Sequence, residues 1–292
     1  MSKLKDCIKM HNTIYKILYG FKRKVYILYL YIVDDILLNS SFHFHVLLRK
    51  MNLEKPDSVL TKLKGKHKNQ RIFVISTGPS LRLEDLEWLH ENQEITISMN
   101  SVFQIFDKTE WRPTYYINGD FQAFDKKYEG KKIEDMSLCN VIISRQIARK
   151  LHYQFDRAKV GVYDANWLDH RVNWHTKRYK YKTDIKTYGC YCFQTITNSA
   201  INLADFMGCK EIYLLGCDCD LTQNKEHIGE TKKNEMPYRI AMAKMRRMTE
   251  AYMVIKRILN NKGVHVYNAT RGGKLEVFPR VDFDDLIGKG KK

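Results

Sequence analysis

From Arg71 onward the chain is punctuated by short β-branched, aromatic and aliphatic runs: RIFVIS (71–76), ITISMN (95–100), TYYINGD (114–120), NVIIS (140–144), KVGVY (159–163), KEIYLLGCD (210–218) and GVHVYNAT (263–270). Each is too short for an independent helix and is bounded by Ser, Thr, Asn, Asp or Gly, so each reads as a strand. LEDLEWLHEN (83–92), the stretch from Thr195 to Met207 stopped by Gly208, and a long segment from Tyr238 to Asn261 instead space their apolar residues three and four apart. Strands alternating with helices build a mainly parallel sheet. The expected fold class is therefore α/β, a single Rossmann-like domain.

Nothing upstream of Arg71 has this pattern. Residues 1–53 interleave Ile14, Tyr15, Ile17, Leu18, Tyr19, Phe21 and the run Val25 to Val33 with Lys16, Lys22, Arg23 and Lys24, which predicts one or two basic amphipathic helices. The first 71 residues hold 15 basic and 5 acidic side chains, a net 10 of the chain's +17. Residues 54–70 contain Pro56, Gly65 and five lysines and are expected to be a linker, leaving 71–292 as the catalytic domain.

The longest apolar run has nine residues, far short of the ~20 that cross a bilayer. Seven cysteines, several of them in apolar runs, and no signal-peptide pattern point to a reducing, cytoplasmic setting. A basic helix rich in Tyr and Phe can lie in the headgroups of an anionic membrane, here the inner face of the cell membrane. It can equally pack on the main domain or on a second subunit of a homo-oligomer. The basic excess follows no nucleic-acid module, so nucleic acid is not an expected partner.

In a doubly wound sheet, ligands bind beyond the carboxyl ends of the strands. Four clusters fall there. In Thr77-Gly78-Pro79-Ser80, the glycine permits close backbone approach, and a helix starting near Ser80 would aim N–H groups at an anion. Asn100 and the pair Asn118 and Asp120 place carboxamides or a carboxylate where a base edge or ribose hydroxyls can be read, or where they simply cap turns. Asp218, Asp220 and His227 put an imidazole near an acidic strand end, a general-base arrangement. Cys190, Cys192, Cys217 and Cys219 lack zinc-site spacing, so no metal is expected.

In chain order STGPSL, SMNS, YYINGD, TITNSAINLADFMG, KEIYLLGCD and a following His resemble bacterial sialyltransferases of glycosyltransferase family 42. The same skeleton is similar to the group related to motility accessory factors and archaeal 6-hydroxymethylpterin diphosphokinase. The resemblance covers about residues 71–230 and implies the GT-A-like variant of the Rossmann fold.

It also implies a CMP-sugar donor held by Thr77, Gly78, Pro79, Ser80, Asn100, Asn118, Thr195 and Thr197, with Asp120 and Asp218 beside them. His227 matches the family's general base, whereas the paired tyrosines that bind the family's donor phosphate are not evident after Asp218, and Tyr238 or Arg239 would replace them. No cofactor is implied, and the acceptor is a cell-surface glycan. Thr77 replaces the family's usual Asn, and Asp120 is an addition. Magnesium-dependent diphosphate transfer from ATP, with Asp120, Asp218 and Asp220 on the metal, is the second reading. A non-catalytic nucleotide-binding assembly protein is the third.

Overall fold

The computed structural model describes residues 2–37, 39–119, 140–166, 181–191, 194–222, 228 and 236–288, with side chains from Thr13 onward except at 34 and 35. Its centre is a seven-stranded sheet made of β1 (Arg71–Ile75), β2 (Thr96–Met99), β3 (Tyr115–Asn118), β4 (Val141–Ser144), β5 (Val160–Tyr163), β8 (Glu211–Leu215) and β9 (His265–Asn268). The order is β5-β4-β3-β2-β1-β8-β9 and every pairing is parallel. All seven runs picked out by composition are strands of this sheet. A two-residue parallel pair, β6 (Ala165–Asn166) with β7 (Cys190–Tyr191), lies outside it.

Because both faces are covered, successive strand residues enter two different cores. Ile72, Val74, Ile97, Ile117 and Leu214 pack against α3 (Ser58–Leu63), α7 (Ile196–Phe206) and α8 (Tyr238–Asn260). Phe73, Ile75, Tyr116, Ile143 and Leu215 pack against α4 (Leu83–Glu91), a 3-10 turn (Val102–Ile105), α5 (Arg145–Lys150) and α9 (Phe283–Leu286). The helical segments after β1, β2 and β4 thus lie on one face, and those flanking β8 on the other. Right-handed crossovers running in opposite directions from β1 require this.

The 54–70 stretch is not a bare connector. Asp57 accepts hydrogen bonds from Val59 N and Leu60 N at 3.0 and 3.1 Å and starts α3, whose Val59, Leu60 and Leu63 are buried. Exposed Lys62 inside this six-residue helix, and Lys55, Lys64, Lys66 and Lys68 that flank it, hid the apolar spacing. Residues 64–70 then run alongside the end of α7, with Gly65 N and His67 N donating to Phe206 O and Met207 O.

The N-terminal region divides in two. α1 (Ser2–Leu30) continues into a π-helical turn (Tyr31–Leu37), and the described side chains of both are mostly exposed. α2 (Ser40–Lys50) is docked on the domain. Its Phe42 is buried beside Gly189, and its buried Arg49 reaches Asp164 at 2.6 Å and the Thr187 carbonyl at 3.0 Å. Gly189 follows α6 (Ile185–Tyr188) with a φ of +71°, and a Cβ there would strike Phe42 and the Asp164 backbone.

If α3 belongs to the core, Leu60→Ala, at a site 1% exposed, costs about 2–5 kcal/mol of stability in urea denaturation. A linker position would cost no more than about 0.5 kcal/mol.

Candidate functional site

The strand order reverses between β1 and β8, so the loops leaving these neighbours diverge to opposite faces, the geometry in which open α/β sheets bind ligands. Past the strand ends the two chains stay joined: Ser76 N donates to Leu215 O and Gly78 N to Gly216 O, both at 2.8 Å. Gly78 is required here. A Cβ would collide with the Gly216 carbonyl and the Asp218 carboxylate. Thr77, 3% exposed, accepts from Ile228 N at 2.7 Å.

The turn after β1 differs from the expected anion cradle. α4 begins at Leu83 rather than near Ser80, and Ser80 N donates to the Asp218 carboxylate at 3.3 Å. The protein's own carboxylate thus takes the N–H that a ligand phosphate was expected to meet. The first turn of α4 carries its own acids, Glu84 and Asp85, and Arg271 grips Asp85 at 2.8 and 3.0 Å and Asp284 at 2.8 Å.

The other helix N-terminus at this edge belongs to α7. Thr195 caps it, accepting from Thr197 N at 3.3 Å, and the first turn has no acidic residue. The Thr197 hydroxyl shares a 3.1 Å hydrogen bond with the Ser76 hydroxyl, which ties the start of α7 to the end of β1. Thr195, Thr197, Thr77 and Gly78 are therefore brought together, and Ser76, the first residue of the STGPSL motif, makes the bond that joins them.

The carboxyl ends of β2 and β3 supply amides and hydroxyls. Asn100 holds a φ of +51°, and its carbonyl accepts from the Tyr116 hydroxyl at 2.8 Å. Asn118 is fully buried and donates to the same hydroxyl at 3.0 Å. Ser98 donates to Ile75 O at 2.8 Å and so braces β2 against β1.

Asp120 and His227 lie outside the described residues; Ile228, bonded to Thr77, is the residue that follows His227 in sequence. Tyr238, the first residue of α8, is 70% exposed. Pro79 sits in the turn between Gly78 and Ser80.

The tail after β9 forms the rear wall. Thr270 accepts from Cys217 N at 3.0 Å, and Lys274 N donates to Asp218 O at 2.7 Å. Gly273, at a φ of +72°, lies so close that a Cβ would stand 2.7 Å from the Asp218 backbone. The Arg271-Gly272-Gly273 sequence was the available signal for this contact. Asp220 is occupied as well, by Lys274 Nζ at 3.0 Å and by Thr222 N at 3.0 Å.

Burial decides the chemistry of the β8 loop. It pushes the Cys217 thiol up to about 12 and Cys219 to about 11, so both are protonated near neutral pH. Asp218 is also raised above its usual value of 3.8, because burial and the nearby Asp220 charge outweigh the Ser80 hydrogen bonds. A carboxyl raised by folding adds stability below 3.8 that is lost as pH rises through its folded value. Asp218→Asn is expected to remove that segment of the stability–pH curve, measured by urea denaturation of both proteins from pH 3.5 to 7.

No curated protein matches the sequence. Among solved structures, the chain is similar to the MAf glycosyltransferase of Magnetospirillum magneticum AMB-1, at 15% identity and a TM-score of 0.44, over 78% of this chain and 38% of that one. It is also similar to a mammalian sialyltransferase, at 8% identity and a TM-score of 0.37, over 80% of this chain and 86% of the other. Residues 48–224 match the family described as 6-hydroxymethylpterin diphosphokinase MptE-like, and the chain belongs to that family.

Proposed function

We propose that this protein is an inverting glycosyltransferase that takes a CMP-activated sialic acid or related nonulosonic acid and passes the sugar to a hydroxyl of a cell-surface glycan. The observation that carries the reading is the capped, acid-free N-terminus of α7, held 3.1 Å from Ser76 through Thr197 at the point where strand order reverses. Its first-turn N–H groups and the Thr195 and Thr197 hydroxyls suit the phosphate of a departing CMP, where negative charge grows in the transition state.

Asn100 and Asn118 supply polar groups for the base and ribose. His227 takes the proton of the acceptor hydroxyl as that oxygen bonds to the anomeric carbon, and the carbon–oxygen bond to phosphate breaks with its electron pair leaving on CMP.

Family membership favours a second reading, magnesium-dependent diphosphate transfer from ATP. The described carboxylates fit a cation poorly: Asp220 already holds Lys274 and Thr222, and Asp218 holds Ser80 N. Thermal unfolding with CMP, CDP, UDP, GDP and ATP, with and without magnesium, separates the readings. Cytidine nucleotides alone are expected to stabilise the protein without metal, by about 2.7 kcal/mol at 100 times the dissociation constant. A magnesium-dependent ATP shift instead establishes the second reading, and no shift with any of these nucleotides overturns both. His227→Ala is expected to keep the CMP shift and lose sugar transfer.

The N-terminal helix suits the surface of an anionic membrane, where lipid-linked acceptors are built. Among the described residues no helix is long and apolar enough to cross one. Ile14, Ile17, Leu18, Phe21, Val25 and Leu28 form an exposed stripe at helical spacing, with Lys16 and Arg23 on the opposite side. No acidic residue occurs from Cys7 to Val33, so two copies of this helix would set like charges together, whereas anionic lipid gains about 1 kcal/mol per cation. The full chain is expected to float with vesicles containing phosphatidylglycerol and not with neutral ones, and deleting residues 1–37 abolishes flotation. Flotation of the truncated chain overturns this placement.

A further inference from the structure

A cavity of about 600 Å3 opens beyond the ends of β4 and β5, on the same edge of the sheet as the switch point. Its walls include Ser41 and Phe42 of α2, Arg145, Arg149 and Lys150 of α5, and Asp164 after β5.

Two of the nearby arginines are already neutralised. Arg145 holds Asp164 at 2.5 Å and Glu54 at 3.0 Å, and Arg49 holds the same two acids at 2.6 and 3.5 Å. Burial would raise the Asp164 carboxyl, but these guanidinium groups outweigh it and keep the acid ionised below its usual range.

Arg149 is different. Its guanidinium meets the Ser41 hydroxyl at 3.1 Å and His45 Nε2 at 3.3 Å, and among the described residues no carboxylate pairs with it. His45 Nδ1 stands 2.6 Å from the Glu54 carboxylate, so a proton on Nδ1 leaves the Nε2 lone pair facing Arg149. The Ser41 hydroxyl and the His45 ring thus hold the Arg149 guanidinium at the cavity wall. An oriented, partly unsatisfied guanidinium is matched to the two oxygens of a carboxylate or phosphate.

We propose that this cavity is an acceptor subsite that holds a phosphate or carboxylate group on the molecule receiving the sugar, an inference that rests on the transferase reading. β4 is three strand spacings from β1, about 14 Å. The charged end and the reacting hydroxyl therefore belong to one extended acceptor rather than to a single sugar.

Calorimetric titration of the full chain with inorganic phosphate, glucuronate, farnesyl phosphate and neutral glucose tests this. The anions are expected to bind and glucose not. Arg149→Ala lowers anion affinity at least about tenfold, and Arg149→Lys, which keeps the charge but loses the fork, falls between. Tighter farnesyl phosphate assigns the anion to a lipid carrier, and tighter glucuronate assigns it to an acidic sugar. Anion binding unchanged in Arg149→Ala, equal binding of glucose, or no anion binding overturns the subsite. The CMP shift is read on the same variants. If it is absent while Arg149-dependent anion binding persists, the transferase reading fails and the anion site stands; a CMP shift without anion binding gives the reverse.

Discussion

The parallel pairing of β1 with β8 is the constraint from which the site is built. The two strands are in register over five residues, from Arg71 opposite Glu211 to Ile75 opposite Leu215, and the bonding continues through Ser76 and Gly78 after the strands have ended. Two glycines make that continuation possible: Gly78 lies against the Gly216 carbonyl, and Gly216, at a φ of +61°, lies against the Ser76 carbonyl. Side chains at either position would push the loops apart and take Asp218 away from Ser80. The tail is locked to the same junction through Thr270, Gly273 and Lys274, so three segments far apart in sequence are fixed as one unit.

What the sequence made legible follows from local physics. The seven sheet strands were readable because each is a brief β-branched or aromatic run cut off by turn residues, and α7 because Thr195 opens it and Gly208 follows its end. α3 was obscured by its short length and by the lysines in and around it, and β6 and β7 are two residues each, too short to carry any period. The phosphate cradle after Gly78 was misread for another reason. Whether Ser80 N faces a ligand or an internal carboxylate depends on Asp218, 138 residues away, and no local pattern contains that information. The partner of Ser76 on α7 and the approach of Gly273 to Asp218 are likewise long-range, visible only once β1, α7 and the tail are assembled.

The N-terminal boundary of the domain is also set by long-range electrostatics. Composition divides the chain near residue 54, yet Arg49 of α2 is 7% exposed and shares Asp164 and Glu54 with Arg145 of α5. Removing one partner from such a buried network strands the others without compensation, a cost of several kcal/mol. α2 is therefore part of the folded unit while α1, with its exposed apolar stripe, is the segment available to something else.

These features give the carboxyl edge of the sheet a chemical gradient. At β1, β2, β3 and β8 it presents hydroxyls, carboxamides and a capped helix N-terminus, with its own carboxylates already engaged. At β4 and β5 it presents guanidinium groups, of which Arg149 is held by the Ser41 hydroxyl and the His45 ring, with no carboxylate paired to it among the described residues. Neutral, directional groups suit the reading of a base and ribose and the stabilisation of a leaving phosphate, whereas an oriented cation suits a fixed negative charge. On the proposed transferase reading, two different substrates lie along this one edge without exchanging places. The capped N-terminus of α7 at β1 stands about three strand spacings from the guanidinium groups after β4, which keeps the two binding chemistries distinct.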